Sequence, residues 1–295
     1  MKRVTKKDKI INALFIAILI IIGVICIYPI WFVIIASLSE PSQLALGKVL
    51  IWPSGFTLDG YKKLLSYPQL IRGFINSILY LFGGTFCMMA ITLPAAYSLS
   101  RKELKGRRIL NFLFIISMYF AGGLIPTYLV NNAIGWINTI WVMVIPTALQ
   151  VYNLILARST FESIPDALYE SAQLDGASDF RFFLQFAIPL SKATIAVIFL
   201  FGALGWWNEY MRFVIYIDNP NLQSVQVVVR QITTQLQNAL TSETTLSTET
   251  IMAAQRQADL LKYSIVVVVA MPFVIIYPFV QKYFNKGVMI GAVKG

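Results

Sequence analysis

The side chains that could do chemistry are concentrated in two short stretches of this sequence. Residues 168–190 form a polar island between apolar segments, and residues 206–212 combine two tryptophans with carboxylate, amide and guanidinium groups. The sequence holds no histidine, which removes the commonest acid–base side chain and the commonest metal ligand. We therefore predict no catalytic residue and no metal site, and expect both stretches to act by docking, stacking and hydrogen bonding.

The polar island predicts two short helices joined by a turn. Pro165 suits the first turn of the first helix, where its missing N–H leaves no bond unmade, and Ser163 or Ile164 would precede it as the cap. Gly176 suits the left-handed conformation that ends a helix, and Ser178 can cap the second helix. The result would be a helical hairpin that lies flat on one face of a membrane.

The composition is that of a membrane protein. Of the 295 residues, 57% are hydrophobic and 13% are charged, whereas soluble domains carry about 25% charged residues. The net charge of +10 comes from basic residues at the ends of apolar runs, which is the pattern of membrane proteins and not of a nucleic-acid-binding surface. Cys26 and Cys87 lie inside apolar runs, so we expect two small buried side chains and neither a disulfide nor a metal pair.

Six apolar runs are near or above the length that crosses a bilayer, because a helical span needs roughly 20 residues and must satisfy its own backbone. They are residues 10–38, 73–99, 109–130, 139–157, 189–215 and 263–280. The first run is longer than the roughly 7–15 apolar residues of a signal peptide, so we expect an uncleaved anchor. The sequence thus predicts an all-α membrane protein with six transmembrane helices.

Basic residues place both ends of the chain on the same side as the polar island. Segments 1–9, 101–108, 158–192 and 282–295 hold 16 of the 24 Lys and Arg residues, while the alternate connections, longer in total, hold only 7. Loops rich in Lys and Arg stay in the cytoplasm. We therefore expect the N- and C-termini and the polar island to be cytoplasmic.

The polar island closely resembles the EAA motif of binding-protein-dependent ABC importer permeases, which reads E-A-A-x-x-D-G-A and closes with a hydrophobic run and I-x-L-P. The matching residues are Glu170, Ser171, Ala172, Asp175, Gly176, Ala177 and Pro189. Ser171 stands in place of the first alanine and keeps its small volume, and the run closes with Ile-Pro-Leu. The resemblance implies a coupling helix that docks into a groove of a cytoplasmic ATPase, with small Ser171 and Ala172 where that partner approaches. The alternative is a surface helix that these residues merely cap and end.

The resemblance extends over essentially residues 10–295 and indicates the carbohydrate branch of the family. Residues 122–126, 151–159 and 207–209 are similar to the third, fourth and fifth spans of carbohydrate permeases, and the tail is similar to the end of the maltose-permease G-type subunit. The tail residues thereby implied to contact the ATPase are Lys286, Gly287, Gly291 and Lys294. The alternative for them is a frayed end of the chain.

The resemblance implies the type I ABC importer permease fold, a place in the bacterial cell membrane and a set of partners. These are a second, homologous permease subunit, two nucleotide-binding ATPase subunits, an extracellular lipoprotein that binds the solute, and a sugar, expected to be an oligosaccharide. No G-x-x-x-x-G-K-[ST] phosphate loop occurs, so we expect a non-catalytic chain that binds no cofactor itself, with ATP and Mg²⁺ used by the partner ATPase. The alternative is a self-sufficient secondary transporter. Such a protein typically has an ionisable residue at mid-membrane and an inverted repeat, and we find neither in this sequence.

Six residues are candidates for lining a translocation pathway or gate, because aromatic faces can stack on a sugar and polar groups can bond its hydroxyls. They are Asn153, Trp206, Trp207, Asn208, Glu209 and Tyr210. The alternatives are an aromatic belt at the membrane surface for the tryptophan group and helix packing for Asn153. Glu209 and Arg212 are three residues apart, so on one helix they would share a face and could pair.

We divide the chain into three parts. Residues 1–72 hold the N-terminal segment, the first span and the first outer loop; residues 73–282 form the importer transmembrane domain with its coupling loop, 158–189; and residues 283–295 form the cytoplasmic tail. The outer stretch 216–262 is expected to become helical from about Thr250, with a disordered connector as the alternative.

Overall fold

A computed structural model, which describes residues 6–120, 122–242 and 248–291, is built of helices joined by short turns and loops. Within those ranges the β-structure is confined to one bridge between Ser39 and Phe56. The helices are α1 Lys6–Ser37, α2 Pro41–Ala45, α3 Asp59–Leu65, α4 Pro68–Ser100, α5 Arg107–Tyr119, α6 Leu124–Ala133, α7 Trp141–Val144, α8 Val151–Glu162, α9 Asp166–Leu174, α10 Asp179–Phe182, α11 Ile188–Leu190, α12 Lys192–Asn208, α13 Met211–Tyr216, α14 Val225–Ser242 and α15 Thr248–Gly291. The predicted all-α fold is confirmed.

Only some of the predicted spans are single helices. Among the described residues, three segments are long and apolar enough to cross a membrane unaided: Ile10–Ser37 of α1, Pro68–Ser100, which is α4, and Gln255–Pro278 of α15. Three further crossings need bent pairs, formed by α5 with α6, by the α7 segment with α8, and by the α10–α11 segment with α12. The described residues therefore supply three uninterrupted spans, or six if each bent pair counts as one span.

The bent pairs break where the sequence removes a backbone donor or a side chain. Pro146 has no N–H, so α7 gives way to a 3₁₀ turn and the chain bends by 41° before α8. Pro189 lies in α11, just before the 84° bend into α12. Gly122 and Gly123 lie between α5 and α6. The predicted fourth and fifth spans are therefore wrong as continuous helices, because hydropathy reports the length of an apolar run and not its direction. The interruption of the third span is the one that its two glycines predict.

The chain divides into two compact units, of which the first comprises Met1–Pro68 with Val229–Pro272. Within it, α3 packs tightly against α15: a Cβ atom on Gly60 would come within 2.2 Å of the Ser264 hydroxyl. The division into three parts at residues 72 and 282, which the sequence suggests, stays a prediction.

The outer stretch 216–262 is more helical than expected. The predicted helix from about Thr250 is confirmed, since α15 begins at Thr248. A second helix, α14, occupies Val225–Ser242, and a short 3₁₀ turn precedes it at Pro220–Leu222. The disordered-connector alternative is therefore wrong for the described part of this stretch.

Most apolar side chains of α1 are exposed, whereas Ile35 and Ala36 in its last turn are buried. None of its most apolar 18-residue window is buried, which suits a helix surrounded by lipid or by other chains. Cys26 of α1 is exposed and Cys87 of α4 is half-buried, and both are free thiols. The expected burial is wrong for Cys26, because no described residue covers α1 there.

The second unit comprises Gln69–Val228 with Phe273–Gly295. Its core lies beside the polar island and includes Met88, Leu93, Tyr97, Leu154, Phe161, Tyr169, Ala172, Phe182, Phe183 and Ile198. The ring centroid of Tyr97 lies 5.8 Å from that of Phe161 and 5.1 Å from that of Phe183. These contacts pack the polar island against α4 and α8, so that it forms part of the core of this unit.

Candidate functional site

The polar island folds as the predicted helical hairpin, but its first helix begins one residue later than expected. α9 starts at Asp166, and Pro165 precedes it as the cap residue with an extended backbone (ψ 132°). Pro165 therefore does not lie in the first turn, and neither Ser163 nor Ile164 is the cap. The carboxylate of Asp166 at the first position complements the positive end of the helix.

The turn and the second helix follow local backbone chemistry. Gly176 has φ +76°, the left-handed conformation predicted for it, and its N–H donates to the carbonyl of Gln173 at 2.9 Å. The Ser178 hydroxyl accepts a hydrogen bond from the N–H of Arg181 at 3.3 Å, so the predicted cap is confirmed. α10 is only one turn long, because a π-helical turn follows it directly.

One side of α9 is buried in the core of its own unit. Tyr169 is 9% exposed and Ala172 is 6% exposed, and both belong to the core that includes Tyr97 and Phe161. The expectation that the small volume of Ala172 leaves room for a partner is therefore wrong. A small side chain is needed at this position because α9 packs closely on the core of its own unit. Ala177 is half-buried against the same core.

The opposite side of α9 is exposed and carries the residues that a partner could reach. Glu170, Ser171 and Asp175 are exposed, and no other described residue forms an ion pair or hydrogen bond with the Glu170 carboxylate. Leu174, which we did not single out from the sequence, is 90% exposed at the tip of the helix. An apolar side chain so exposed in a polar helix suits a contact with another protein. Its signal in the sequence is its place directly before the Asp-Gly turn.

Tyr169 connects α9 to its neighbours through its hydroxyl and its ring. The hydroxyl donates to the Asp179 carboxylate and accepts from the side-chain amide of Gln173 at 2.7 Å. The guanidinium carbon of Arg101 lies 3.5 Å from the centre of the ring. Burial, followed by the hydrogen bond to Asp179, raises the pKa of the Tyr169 hydroxyl. Arg101 was missed from the sequence because it reads as one more basic loop residue.

Two ion-pair groups join the loop after α4 to the region before α9. Lys102 donates to Asp166 at 2.7 Å, and the hydrogen bond from Lys102 lowers the pKa of the Asp166 carboxyl. Glu162 accepts from Arg107 at 2.9 Å and from Arg158 at 3.0 Å. The Lys102–Asp166 pair is well exposed, so water and salt weaken it. The Glu162 group is less exposed and orients the end of α8.

The two tryptophans of the second stretch are buried in the core of their unit. Trp206 and Trp207 are 5% and 2% exposed. Trp206 stacks on Tyr80 with ring centroids 6.2 Å apart, and Trp207 meets Phe74 and Phe273 at 5.8 Å each. Neighbouring rings cover both indoles in this structure. Their burial favours a packing role in this arrangement, and the pathway and membrane-belt interpretations stay predictions for these two residues.

Glu209 and Arg212 pair, but not on one helix. α12 ends at Asn208, and the two residues lie on either side of the break before α13. The carboxylate of Glu209 accepts from the backbone N–H of Arg212 at 3.1 Å and lies 3.7 Å from its guanidinium. The predicted pairing of Glu209 with Arg212 is confirmed, but the prediction that both residues share one helix face is wrong. Tyr210 is half-buried at the same break, and the exposed Asn208 side chain donates to Leu204 O at 3.0 Å.

The Arg212 guanidinium satisfies backbone carbonyls that the break in the fourth span leaves open. It donates to the carbonyl of Met143 at 2.6 Å and lies 3.4 Å from that of Val142. In an unbroken helix the Val142 carbonyl would accept from residue 146, but Pro146 has no N–H to give. Arg212 therefore has a structural task at this end of the unit.

Asn153 is buried, with 1% of its surface exposed. Its amide donates to the side-chain oxygen of Gln150 at 2.9 Å and lies 3.4 Å from the sulfur of Met88 in α4. These contacts favour the helix-packing interpretation over pathway lining. Among the described residues, no group of three or more Cys, Asp or Glu side chains is placed to hold a metal ion.

The remaining predicted site residues lie at the end of the chain and after the hairpin. Pro189 is exposed in α11. The backbone of Lys286, Gly287 and Gly291 continues helix α15. Lys294 lies outside the described residues.

Comparison with known proteins identifies the family. Residues 70–290 match the model of the family described as binding-protein-dependent transport system inner membrane component. The chain is 37% identical to protein LplC of Bacillus subtilis (strain 168) over 93% of its own length and 91% of that protein. It is 33% identical to the polygalacturonan/rhamnogalacturonan transport system permease protein YtcP of the same organism, over 98% and 100% of the two chains.

A solved structure has the same fold. The crystal structure of a bacterial ABC transporter involved in the import of the acidic polysaccharide alginate contains a chain that matches with a TM-score of 0.85 and 26% identity, covering 96% of this chain and 100% of that one. The fold is therefore that of type I ABC importer permeases, and the importer interpretation is favoured over a secondary transporter. The chain belongs to the family of binding-protein-dependent transport system inner membrane components.

Proposed function

We propose that this chain is one of two permease subunits of an ATP-driven importer for an oligosaccharide, and that α9 couples it to a cytoplasmic ATPase. The observation that carries the proposal is the division of α9 into two sides. Tyr169 and Ala172 fix the helix to the core, while Glu170, Ser171 and Leu174 project from it without covering groups. A helix anchored on one side and open on the other is suited to receive a push from a partner.

The sugar class is proposed from the relatives. Their printed names include a polygalacturonan/rhamnogalacturonan permease, a diacetylchitobiose permease of Streptomyces coelicolor and an alginate importer. All three names describe sugars built of more than one unit, and one of these sugars is an acidic polysaccharide. An oligosaccharide delivered by an extracellular, lipoprotein-anchored binding protein is therefore the proposed substrate.

The remaining parts of the proposal concern topology and partners. Each bent helix pair would form one span, which gives six spans, and the excess of Lys and Arg in alternate connections supports cytoplasmic termini. The exposed apolar length of α1 leaves surface for lipid and for the second permease subunit. Two ATPase subunits would bind ATP and Mg²⁺ and perform the hydrolysis, since this chain has no phosphate loop.

The transport cycle would use α9 as a lever. Closure of the ATPase pair on ATP would displace α9, and the aromatic core beneath it would carry that displacement to α4 and α8. The spans would then rock between inward-open and outward-open arrangements. Coupling requires that the loaded binding protein favours the outward-open arrangement, because a ligand shifts an equilibrium only by its difference in affinity for the two states.

The proposal is tested by purifying the chain with an affinity tag from membranes in mild detergent and identifying the co-purified proteins by mass spectrometry. We expect a second permease and a nucleotide-binding ATPase in stoichiometric amounts. Glu170→Lys should reduce the amount of ATPase that co-purifies, while the second permease should stay bound. A homo-oligomer without an ATPase would contradict the importer and favour a self-sufficient transporter.

A further inference from the structure

The ring of Tyr169 lies between the end of α4 and the first turn of α10. Arg101 directly follows α4, and its guanidinium carbon is 3.5 Å from the ring centre. Phe182 of α10 meets the same ring edge-on with centroids 5.1 Å apart. A guanidinium within about 6 Å of an aromatic face makes a cation–π contact, which strengthens as water is removed. Tyr169 is 9% exposed, so this contact is largely shielded from solvent.

The Arg101 guanidinium has few other interactions among the described residues. Its Nε is buried and makes no hydrogen bond. Its Nε lies 3.6 Å from the carboxylate of the mostly exposed Glu103, and the charge of Arg101 also acts on the Asp166 carboxyl. The Tyr97 ring is farther, at 5.9 Å. A planar, weakly hydrated guanidinium suits this position better than an ammonium does. Stacking on Tyr169 is therefore the main contact of the Arg101 guanidinium, and it joins the end of α4 to α9 beside the aromatic core.

The hydroxyl of Tyr169 adds the third connection. It donates to the carboxylate of Asp179 in α10 and accepts from Gln173 one turn later in α9. A single side chain thus joins α9, α10 and the end of α4. The other polar contact between the loop after α4 and α9 is Lys102 with Asp166, which is exposed and therefore screened by salt.

We propose that Arg101 and Tyr169 are positioning residues that make α4 follow the movement of α9. This inference rests on the proposed function, in which a partner ATPase displaces α9. When the ATPase displaces α9 from its exposed side, the stack of Arg101 on Tyr169 prevents α9 from tilting against the aromatic core independently of α4. Removing the stack would leave the ATPase docked while its movement is lost before it reaches the span.

The test uses spin labels in the full complex in lipid nanodiscs, with Cys26 and Cys87 replaced by serine. One label replaces Ala167, an exposed residue of α9 that is not assigned to the ATPase contact, and the other replaces exposed Phe86 on α4. Distances are measured by pulsed electron paramagnetic resonance without nucleotide and with ATP, Mg²⁺ and vanadate. The unaltered pair should give one narrow distribution in both states, because α9 and the end of α4 move together.

Four variants and one control test whether the stack of Arg101 on Tyr169 makes α4 follow α9. Arg101→Met and Tyr169→Leu remove the stack and should at least double the width of the distribution, while Arg101→Lys should be intermediate. Tyr169→Phe keeps the stack and should stay close to the unaltered width. Arg108→Met, which removes an exposed arginine at the start of α5, should change nothing. Stimulation of the ATPase in the complex should fall at least tenfold only in the first two.

Three results would overturn the proposal. The first is an unaltered width for Arg101→Met and Tyr169→Leu in the assembled complex. The second is a width for Arg101→Lys no greater than the unaltered one. The third is loss of assembly in both Arg101 variants, which would make Arg101 a folding element. Absence of any ATPase from the unaltered complex would contradict the proposed function instead, and the nucleotide-free distances would still test the stack.

Discussion

The indole ring of Trp206 lies directly over Gly84, at a position where a Cβ atom on residue 84 would stand 2.1 Å from the ring. The two residues are far apart in the sequence and bring α12 and α4 into close contact. The absence of a side chain at Gly84 therefore determines that Trp206 can be buried. Trp206 therefore takes part in the packing of this unit.

This contact predicts that Gly84→Ala destabilises the protein. Overpacking a core costs about 1–3 kcal/mol, which exceeds the roughly 0.5–1 kcal/mol that alanine gains over glycine within a helix. Gly83→Ala is the matched control, because nothing lies within 4 Å of its Cβ position. Thermal unfolding in detergent should give a lower midpoint for Gly84→Ala and an unchanged or higher one for Gly83→Ala. Equal midpoints would mean that Trp206 does not pack on α4.

The contacts of Arg212 with α7 predict an effect on stability. Arg212→Met removes a charged donor to the Met143 carbonyl, which also accepts from the Thr147 hydroxyl at 2.8 Å, and hydrogen bonds to charged groups contribute about 1.5–3 kcal/mol. Arg212→Lys should recover part of the loss. Arg72→Met, at an exposed arginine of α4, is the control and should change little. The unfolding midpoints of the variants measure the effect on stability. An unchanged midpoint for Arg212→Met together with lost uptake would contradict it and would place Arg212 in the translocation pathway.

Comparing Gly176→Ala with Gly135→Ala separates the effect of backbone strain on stability from an effect on coupling to the ATPase. Alanine at φ +76° costs about 1–2 kcal/mol, and Gly135, at φ +72° with equally open space, should cost the same. Both Gly176→Ala and Gly135→Ala should therefore lower the unfolding midpoint similarly. Only Gly176→Ala should reduce stimulation of the ATPase, since it redirects the exposed tip of α9. Equal stimulation in the two variants would argue that the hairpin is a structural cap alone.

The Lys102–Asp166 pair predicts a dependence on pH and salt. Because Lys102 lowers the folded-state pKa of Asp166, the stabilisation is present above the unfolded pKa and is lost as pH falls through the lowered folded value. Lys102→Gln should thus differ slightly from the unaltered protein near neutral pH in low salt. The difference should vanish in strong acid and in high salt, because both side chains are exposed. A difference that persists in high salt would contradict this account.

The sequence predicts the long helices and the turn chemistry of the hairpin well, for physical reasons. α1, α4 and α15 follow from apolar runs, since a bilayer selects hydrophobic length. Gly176 and Ser178 follow from local backbone demands that no distant residue can change. The bends do not follow, because a proline within an apolar run shows where a helix can break and not by how much.

The functional meaning of the aromatic stretch could not be read from the sequence. A pathway, a membrane belt and a core all use tryptophan beside polar groups, and the outcome depends on Gly84 in another helix. Leu174 and Arg101 were missed for a related reason. Their types are ordinary for a membrane protein, and only the exposure of the one and the stacking of the other give them a role.

The central claim is that the exposed tip of α9 touches an ATPase, and a photo-crosslinking amino acid in place of Leu174 tests it most directly. The same group in place of Leu46, which is 62% exposed in the other unit, is the control. Crosslinks made in intact membranes are identified by mass spectrometry. We predict a crosslink from position 174, and not from position 46, to a protein that carries a nucleotide-binding phosphate loop. No such crosslink from 174, or equal crosslinking from both positions, would contradict the claim.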